Sequence, residues 1–346
     1  MLNLAIVGCG MVANEHLGAL RKVKEIKVVA LCDKDEETAE RMSRKWNVRT
    51  CYTDYCKMLD EEELSIVSVL TPPQSHVPVA IEAIRRDVNV LIEKPLTLSI
   101  ADANRLLEVH AASRAKVTVD HLALFSKVMI KVTNLIESGA IGDILGSRIQ
   151  WLLTPDDSMA STEKHWCHKL PGGRFGEVLP HPVYLIQAVI DEKLSVDRVL
   201  TEKRGKYPWM RNDELRVVLR GKSGHWADIY ASFNAPRKAI ILDVYGTRRI
   251  LRIDIINQTL IEFGKRSISK VASAKDVLGQ STNLFLSTIE NTIDFLRAKE
   301  MEHPLRNLYT CFLRSIENGV DPTVTPQMAF ETVRVTEEIC NMIQLS

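Results

Sequence analysis

The first third of the chain alternates apolar runs of strand length with stretches in which apolar residues recur at helical spacing. The predicted strands cover residues 4–7, 26–32, 48–52, 64–70, 88–92 and 116–120. The predicted helices cover residues 11–24, 35–47, 75–86 and 99–114, with Ser99 as an N-cap. Continuous apolar strands are typical of sheets that are buried on both faces, so this alternation predicts a parallel sheet covered by helices.

Beyond residue 121 the pattern changes, and strands dominate. A helix over 126–139, a strand over 147–153 and a polar loop over 154–170 come first. The later strands are predicted over 196–202, 214–219, 225–233, 239–245, 250–256 and 259–263, and the final helices over 281–299, 305–318 and 326–343. The fold class is therefore α/β followed by α+β, with domains at residues 1–121 and 122–346 and a mainly antiparallel, open-faced sheet in the second domain. The last helices can pack back on the first domain.

The strands of the second domain alternate imperfectly between apolar and polar positions. Ile240, Ile241, Leu242 and Val244 crowd one strand with apolar side chains. This crowding predicts that both faces of the sheet are covered, one by helices and the other by a second subunit. We therefore expect a homo-oligomer, either a dimer or a tetramer.

Composition narrows the possible partners. The chain has 346 residues, of which 45% are hydrophobic and 26% charged, and a net charge of +1. A near-neutral chain without long runs of like charge is not expected to bind nucleic acid, so the substrate is expected to be small. The sequence has neither a signal-like start nor an apolar run of membrane-span length, and its seven cysteines form no CxxC pair. These features predict a cytoplasmic protein with reduced thiols.

The stretch from Leu4 to Ala13 joins a strand, a tight turn and a helix start. Gly8 allows a positive φ, Gly10 leaves room for a pyrophosphate against the backbone, and Ala13 lets the helix lie close to the strand. The phosphates would then lie at the helix N-terminus. Asp33 ends the second strand, where its carboxylate can accept from both ribose hydroxyls of an adenosine. This combination predicts a Rossmann domain that binds NAD(H), and the alternative is an ordinary tight turn in an α/β protein.

Two further strands end in residues that the ligand edge of such a sheet would present. The strand over 64–70 is followed by Thr71 and Pro72, with His76 at the start of the next helix. The strand over 88–92 is followed by Glu93 and Lys94. Ligands bind outside the carboxyl ends of parallel strands, which makes these residues candidates for contact with ligand. The alternatives are that His76 is a first-turn surface residue and that Lys94 is a surface charge.

The glycine turn, Asp33, Thr71-Pro72 with His76, and Glu93-Lys94-Pro95 together resemble the Gfo/Idh/MocA family of oxidoreductases. The resemblance implies that Lys94 lies beside the nicotinamide and the reacting substrate carbon. The cofactor would be NAD(H), while Lys34 leaves NADP(H) open because it can reach a 2′-phosphate. The full set of expected cofactor-binding residues is Gly8, Gly10, Met11, Val12, Ala13, Asp33, Thr71, Pro72, His76, Glu93 and Lys94.

The stretch from Pro171 to Pro182 resembles the glycine-rich approach to a helix in the same family, in which an aspartate and a histidine four residues later face the substrate. Here Glu177 holds the acid position and His181 the histidine position. A spacing of four places both side chains on one face if the segment is helical. Glutamate reaches farther than aspartate, and Pro180 and Pro182 disfavour a helix that begins well upstream. The alternative is that His181 merely caps a helix that begins near Pro182.

The polar loop carries His165, Trp166, Cys167 and His168, a composition that suggests a metal site. Adjacent residues of an extended chain point to opposite sides, so these side chains would need help from His181 to surround one ion. We therefore expect no metal, and we interpret the loop as part of the substrate side with Trp166 as a wall.

The resemblance implies an NAD(P)-dependent enzyme that transfers a hydride between nicotinamide and a hydroxyl-bearing carbon of a sugar, a sugar derivative such as a nucleotide sugar, or a polyol. His181 would exchange the alcohol proton, Lys94 would stabilise negative charge on the same oxygen, and Glu177 would bind a neighbouring hydroxyl or tune His181. One alternative is an enzyme of the same fold that uses NAD transiently to eliminate or hydrolyse a sugar bond. The other is a catalytically silent dinucleotide sensor, although a sensor would need neither the lysine nor the histidine.

Overall fold

The computed structural model describes residues 1–264, 270–296 and 304–345. The chain divides into two compact units. The first contains Met1–Phe125 and His303–Arg334, and the second contains Ser126–Glu302 and Val335–Ser346. The boundary near the C-terminus falls within the last helix.

The first unit is a parallel sheet with helices between its strands. Its elements are β1 Leu2–Val7, α1 Met11–Leu20, β2 Ile26–Cys32, α2 Glu36–Trp46, β3 Thr50–Tyr52, α3 Tyr55–Glu61, β4 Ile66–Val69, α4 His76–Ile84, β5 Asn89–Ile92, α5 Ile100–Ala111 and β6 Val117–Val119. Short 3₁₀ turns cover Pro73–Ser75 and Leu122–Phe125. The strand order is β3-β2-β1-β4-β5-β6, all parallel, which is the doubly wound Rossmann arrangement that the alternating pattern predicts.

The core of the first unit lies against both faces of this sheet. Leu4, Ala5 and Ile6 of the central strand are fully buried, as is Ala13 where α1 crosses it. Ser99 accepts from the backbone N–H of Asp102 and caps α5, as its position before the helix predicts. The burial of the strand residues and of Ala13 follows from strands without a polar face, which require apolar cover on each side.

A helix from the far end of the chain completes this core. It is Pro304–Asn318, and its residues Tyr309 and Phe312 are among the largest fully buried side chains. The segment that follows this helix is held against the edge strand β6, because the Thr118 hydroxyl donates to the carbonyl of Val324 at 2.9 Å. The helix was predicted within one residue of its observed start.

The second unit is built around a larger, mostly antiparallel sheet. Its first elements are α6 Lys127–Glu137, β7 Ile144–Leu152, α7 Ser158–Ser161, a 3₁₀ turn Trp166–Lys169, α8 Arg174–Val178 and α9 Pro180–Gln187. The remaining strands are β8 Leu194–Glu202, β9 Glu214–Gly221, β10 Trp226–Ser232, β11 Ala239–Gly246, β12 Ile250–Asp254 and β13 Thr259–Phe263. They follow the order β13-β12-β11-β7-β10-β9-β8, in which the pair β7 and β10 is parallel.

The apolar crowding in this sheet lies mainly on one buried face. Ile240, Leu242 and Val244 are buried on one face, whereas Ile241 is half-buried on the other. The opposite face presents half-exposed or exposed polar and aromatic side chains such as Asp228 and Tyr230. Within the described residues, this chain therefore buries one face of the sheet, because each strand alternates more regularly than its composition suggests. The cover of the other face by a second subunit stays a prediction.

One of the three final helices differs most from its predicted start. The helix expected from residue 281 begins eleven residues earlier, as α10 Lys270–Leu296, and its expected last residues, 297–299, lie outside the described residues. The helix Pro304–Asn318 is α11, and α12 is Pro326–Leu345. None of the described helices combines the length and the apolar character needed to cross a bilayer.

Candidate dinucleotide and substrate sites

Gly8 and Gly10 of the first turn are glycines for different structural reasons. Gly8 has φ of +100°, and a Cβ built on it would lie 2.6 Å from the carbonyl carbon and oxygen of Leu70. No other residue fits there, which confirms the predicted positive φ. Gly10 has an ordinary extended backbone, and a Cβ on it would meet no atom within 4 Å. The space above Gly10 is thus open for a ligand that approaches the backbone closely.

Asp33 is held at the end of β2 by two backbone donors. Its Oδ2 accepts from the N–H of Cys9 at 2.8 Å, and its Oδ1 accepts from the N–H of Asp35 at 3.0 Å. Burial and the Asp33 carboxylate raise the pKa of the Cys9 thiol to about 12, so this cysteine is inert packing beside the turn. Each carboxylate oxygen keeps a second lone pair, and the geometry suits two ribose hydroxyls.

His76 has a position that the sequence does not predict. The side chain is buried, with Nε2 at 2.7 Å from the carbonyl oxygen of Thr71 and Nδ1 at 2.9 Å from that of Pro95. The interpretation of His76 as a surface residue is therefore wrong. Burial lowers its pKa, so the neutral ring donates to one of these carbonyls. His76 links the loop after β4 to the loop after β5.

Thr71 and Lys94 lie on the two loops that His76 joins. The Thr71 hydroxyl oxygen is shielded from solvent and has no hydrogen-bond partner among the described residues. Lys94 follows β5 directly and precedes a cis peptide bond to Pro95. The open space above Gly10, the bound Asp33 carboxylate and the unpartnered Thr71 hydroxyl together fit a dinucleotide along the carboxyl ends of the strands.

A buried polar cluster also lies at these strand ends, and sequence reasoning missed it. His16 of α1 is 3.4 Å from Asp120 through Nε2 and 2.8 Å from the Tyr309 hydroxyl through Nδ1. The Tyr309 hydroxyl contacts Ser68 at 2.9 Å, and Glu93 has a carboxylate oxygen within 4.8 Å of the ligand atoms of His16 and Asp120. Nδ1 of His16 is hydrogen-bonded to Tyr309 and Nε2 faces Asp120, so the cluster joins α1, the strand ends and the helix Pro304–Asn318 through buried polar contacts. The one sequence signal was an acid at the end of a predicted strand.

In the second unit, the segment from Arg174 to Gln187 is helical with a break in hydrogen bonding at Pro180. Pro180 occupies the first turn of α9, where its missing N–H costs nothing, and Leu179 before it keeps helical angles. The helix therefore begins at Pro180 rather than near Pro182. Because the segment is helical, Glu177 and His181 lie on one face, one turn apart.

Both of these side chains are tied to neighbours. Glu177 forms an ion pair with Arg174, which is 6% exposed and also donates to Asp157 at 3.3 Å. The ring of His181 stacks on Trp151 with 5.1 Å between centroids, and its Nδ1 lies 3.2 Å from the Tyr184 hydroxyl. These contacts fix the plane of the imidazole and the direction of the carboxylate. The pairing of Glu177 with Arg174 was not predicted.

The loop with His165, Cys167 and His168 does not converge on one point. His165 accepts from the backbone N–H of Cys167 and caps the 3₁₀ turn, while Trp166 is exposed. Cys167 is buried, and burial raises its pKa to about 11. Across the described part of the chain, these side chains belong to no group of adjacent metal-ligand atoms. All seven cysteines are free thiols.

Comparison with known proteins agrees with this geometry. Residues 2–121 match the family described as "Oxidoreductase family, NAD-binding Rossmann fold", and residues 129–252 match its C-terminal domain. The chain belongs to the Gfo/Idh/MocA oxidoreductase family. Both matches place the family's two characteristic domains in the same order as the two sheets described above, so the fold and the family predicted from the motifs are confirmed.

Relatives in this Gfo/Idh/MocA family include named enzymes. Oxidoreductase P35 of Formosa agariphila is 31% identical over 191 residues, which are 54% of this chain and 59% of the relative. Inositol 2-dehydrogenase of Salmonella typhimurium is 26% identical over 226 residues, which are 64% of this chain and 65% of the relative. The chain thus spans less than two thirds of the length of these two relatives.

Solved structures share the fold across the whole chain. The WlbA dehydrogenase of Bordetella pertussis, in complex with NADH and UDP-GlcNAcA, gives a TM-score of 0.80 at 17% identity and covers 99% of this chain and 95% of its own. The myo-inositol 2-dehydrogenase of Lactobacillus plantarum gives 0.76 at 17% identity, covering 99% and 97%. At this identity the likeness concerns the fold.

Proposed function

We propose that this protein transfers a hydride between a nicotinamide cofactor and a hydroxyl-bearing carbon of a sugar, a sugar derivative such as a nucleotide sugar, or a polyol. The observation that carries the proposal is the set of groups along the strand ends of the first unit. Asp33 is fixed by two backbone donors, Gly10 leaves open space, and the Thr71 hydroxyl has no partner among the described residues. We propose NAD(H) as the cofactor, because the Asp33 carboxylate would repel a 2′-phosphate.

The bound nicotinamide would supply the hydride acceptor, and the remaining chemistry falls to side chains of the protein. As the carbon loses its hydride, its hydroxyl must lose a proton. We propose that His181 takes this proton and returns it in the reverse direction. Lys94 would stabilise the negative charge that develops on the same oxygen. The stack on Trp151 supports this role, since a fixed imidazole plane shortens the search for a productive geometry.

We propose that Glu177 binds a hydroxyl next to the reacting carbon or tunes His181 electrostatically. Its ion pair with Arg174 restrains the carboxylate, and Arg174 in turn is held by Asp157. This arrangement supports a positioning role, because an acid that is already charge-paired is better suited to accept a hydroxyl hydrogen than to transfer its own proton.

We further propose a cytoplasmic homo-oligomer in which a second copy covers the open face of the sheet. The open face carries half-exposed aromatic residues, including Trp226 packed against Tyr245 at 5.3 Å between centroids. The free cysteines are consistent with a reducing compartment.

The direct test of the proposed function is a screen of sugars, polyols and nucleotide sugars for a change in nicotinamide absorbance. We expect at least one compound to give stoichiometric reduction of NAD or oxidation of NADH. Product formation without a net change in absorbance would instead support the transient use of NAD. Tight NADH binding without any product from the whole panel would support the sensor.

A further inference from the structure

A cavity of about 200 Å³ lies wholly within the second unit. Its wall combines the loop after β7, the glycine turn before α8, the loop between β8 and β9, and the end of α12. This volume is below that of a typical drug-sized pocket, so the cavity suits one small polar group or a single ring.

The polar side chains of the wall include groups that can donate hydrogen bonds. They are the Arg211 guanidinium, which only donates, and the amides of Asn212 and Gln344 and the imidazole of His168, which can donate or accept. The His168 Nε2 is shielded from solvent and has no hydrogen-bond partner within the described part of the chain. A buried polar atom without a partner is costly, and such atoms commonly mark a place where a ligand or water binds.

The charge of the wall is positive. None of the described residues that line the cavity is acidic. Arg174 also lines it, but the charge of Arg174 is already matched by Asp157 and Glu177. Arg211 is exposed and makes no ion pair with any described residue. The uncompensated charge of the cavity therefore comes from Arg211, whose planar fork matches a carboxylate or phosphate.

The loop that carries Arg211 is held in place by its neighbours. Asp213 is buried and accepts from the backbone N–H groups of Arg204 and Gly205 and from the Asn234 side chain, besides its ion pair with Lys203. A second tether crosses the cavity wall, where the Trp209 indole N–H donates to the carbonyl of Ala160 at 3.0 Å. An anchored loop reduces the ordering cost of binding a small group.

We propose that this cavity binds an oxyanion group, a carboxylate or a phosphate, carried by the substrate. The inference deepens the proposed function and rests on it, because it assigns the substrate to the acidic sugars or sugar phosphates. Arg174 joins the two sites: it lines the cavity and holds Glu177, which lies one helical turn from His181. Arg174 and His181 are seven residues apart, which is about 10 Å along a helical axis. A substrate of the length of a sugar with an acidic substituent or a second residue fits such a span.

The test measures binding by calorimetry on the full chain without cofactor, so that it does not depend on redox activity. The probes are glucuronate, inorganic phosphate and, as the neutral comparison, glucose. The variants are Arg211→Gln and the matched control Arg237→Gln, which removes another exposed arginine that does not line the cavity.

We expect the wild type to bind at least one anion more tightly than glucose. Arg211→Gln should weaken the binding of that anion about tenfold to a hundredfold. Arg237→Gln should bind like the wild type. Tighter binding of glucuronate identifies a carboxylate and tighter binding of phosphate a phosphoryl group. Equal binding by the two variants, or no preference of the wild type for either anion over glucose, would overturn the inference. In that case a neutral sugar that still reduces NAD would leave the proposed function intact.

Discussion

The backbone N–H of Cys9 donates to Oδ2 of Asp33 at 2.8 Å, which ties the glycine turn after β1 to the acid at the end of β2. The contact places a negative charge at the adenosine end of the expected dinucleotide. It also restrains the carboxylate, so that Asp33 cannot easily turn away from a larger ligand. Cofactor choice should therefore depend on this one side chain.

Asp33→Ser should lower the preference for NADH over NADPH at least tenfold, because the repulsion of a 2′-phosphate disappears while Lys34 remains. Fluorescence titration of both cofactors measures the preference. Asp35→Ser is the matched control, since serine is also a favoured residue at this N-cap position and the 2′-phosphate repulsion by Asp33 remains. Equal or tighter binding of NADPH by the wild type would contradict the assignment.

The two glycines of the turn should fail in different ways. Gly8→Ala should destabilise the fold by a few kcal/mol, because its Cβ would lie 2.6 Å from backbone atoms of Leu70 at a positive φ. Gly10→Val should keep the unfolding midpoint and lose NADH binding, since its side chain enters open space. Thermal unfolding and NADH titration of both variants separate the two effects. A Gly10→Val protein that binds NADH normally would show that the pyrophosphate lies elsewhere.

Stability should fall on acidification through His121. Burial lowers its pKa to about 3, whereas the pKa of a histidine in the unfolded chain is about 6.5. Between these two pKa values, the unfolded chain therefore binds a proton at His121 that the folded chain does not bind. The free energy of unfolding should be highest above about pH 6.5 and drop by about 1.4 kcal/mol per pH unit below it. Burial lowers the pKa of His76 as well, which adds to the same trend.

Urea denaturation of the wild type and of His121→Gln between pH 7 and pH 5 measures this slope. In the variant, the free energy of unfolding should change less steeply with pH, by the slope that corresponds to about one proton, whatever its stability at pH 7. Parallel slopes for the two proteins would refute the assignment of a buried neutral histidine.

Much of this fold could be predicted because its patterns are local. The strand and helix periods predict the doubly wound sheet, and the tight turn by itself predicts the positive φ of Gly8. The missing parts depend on residues far apart in sequence. The contact of His16 with Tyr309 joins the first helix to α11, and Arg174 meets Asp157 across the glycine turn. Neither pairing leaves a periodic signal, so the burial of these groups could not be anticipated.

The same reasoning explains why the burial of His76 could not be predicted. His76 begins a helix, which is ordinarily an exposed position, but two carbonyl oxygens from neighbouring loops surround its ring. Composition also overstated the apolar character of β11, since Ile240 and Ile241 point to opposite faces.

The open face of the second sheet should be an interface between copies of the chain. Light scattering at micromolar concentration should give the mass of a dimer or a tetramer. Ile241→Asp should shift the mass toward the monomer, because it places a charge at the centre of the covered face. Val277→Asp on α10, where the side chain is 58% exposed, is the comparison. A monomeric wild type, or dissociation by Val277→Asp alone, would contradict this location.

The central claim is that Lys94 and His181 act on the substrate while other residues hold the cofactor. The measurement that tests it most directly is steady-state turnover of Lys94→Ala and His181→Ala, with NADH affinity determined on the same samples. Turnover should fall about a hundredfold to ten-thousandfold in both variants, because each loses a positioned charge or base, and NADH affinity should stay near that of the wild type. Wild-type turnover in either variant would contradict the claim and would place the reaction at other residues.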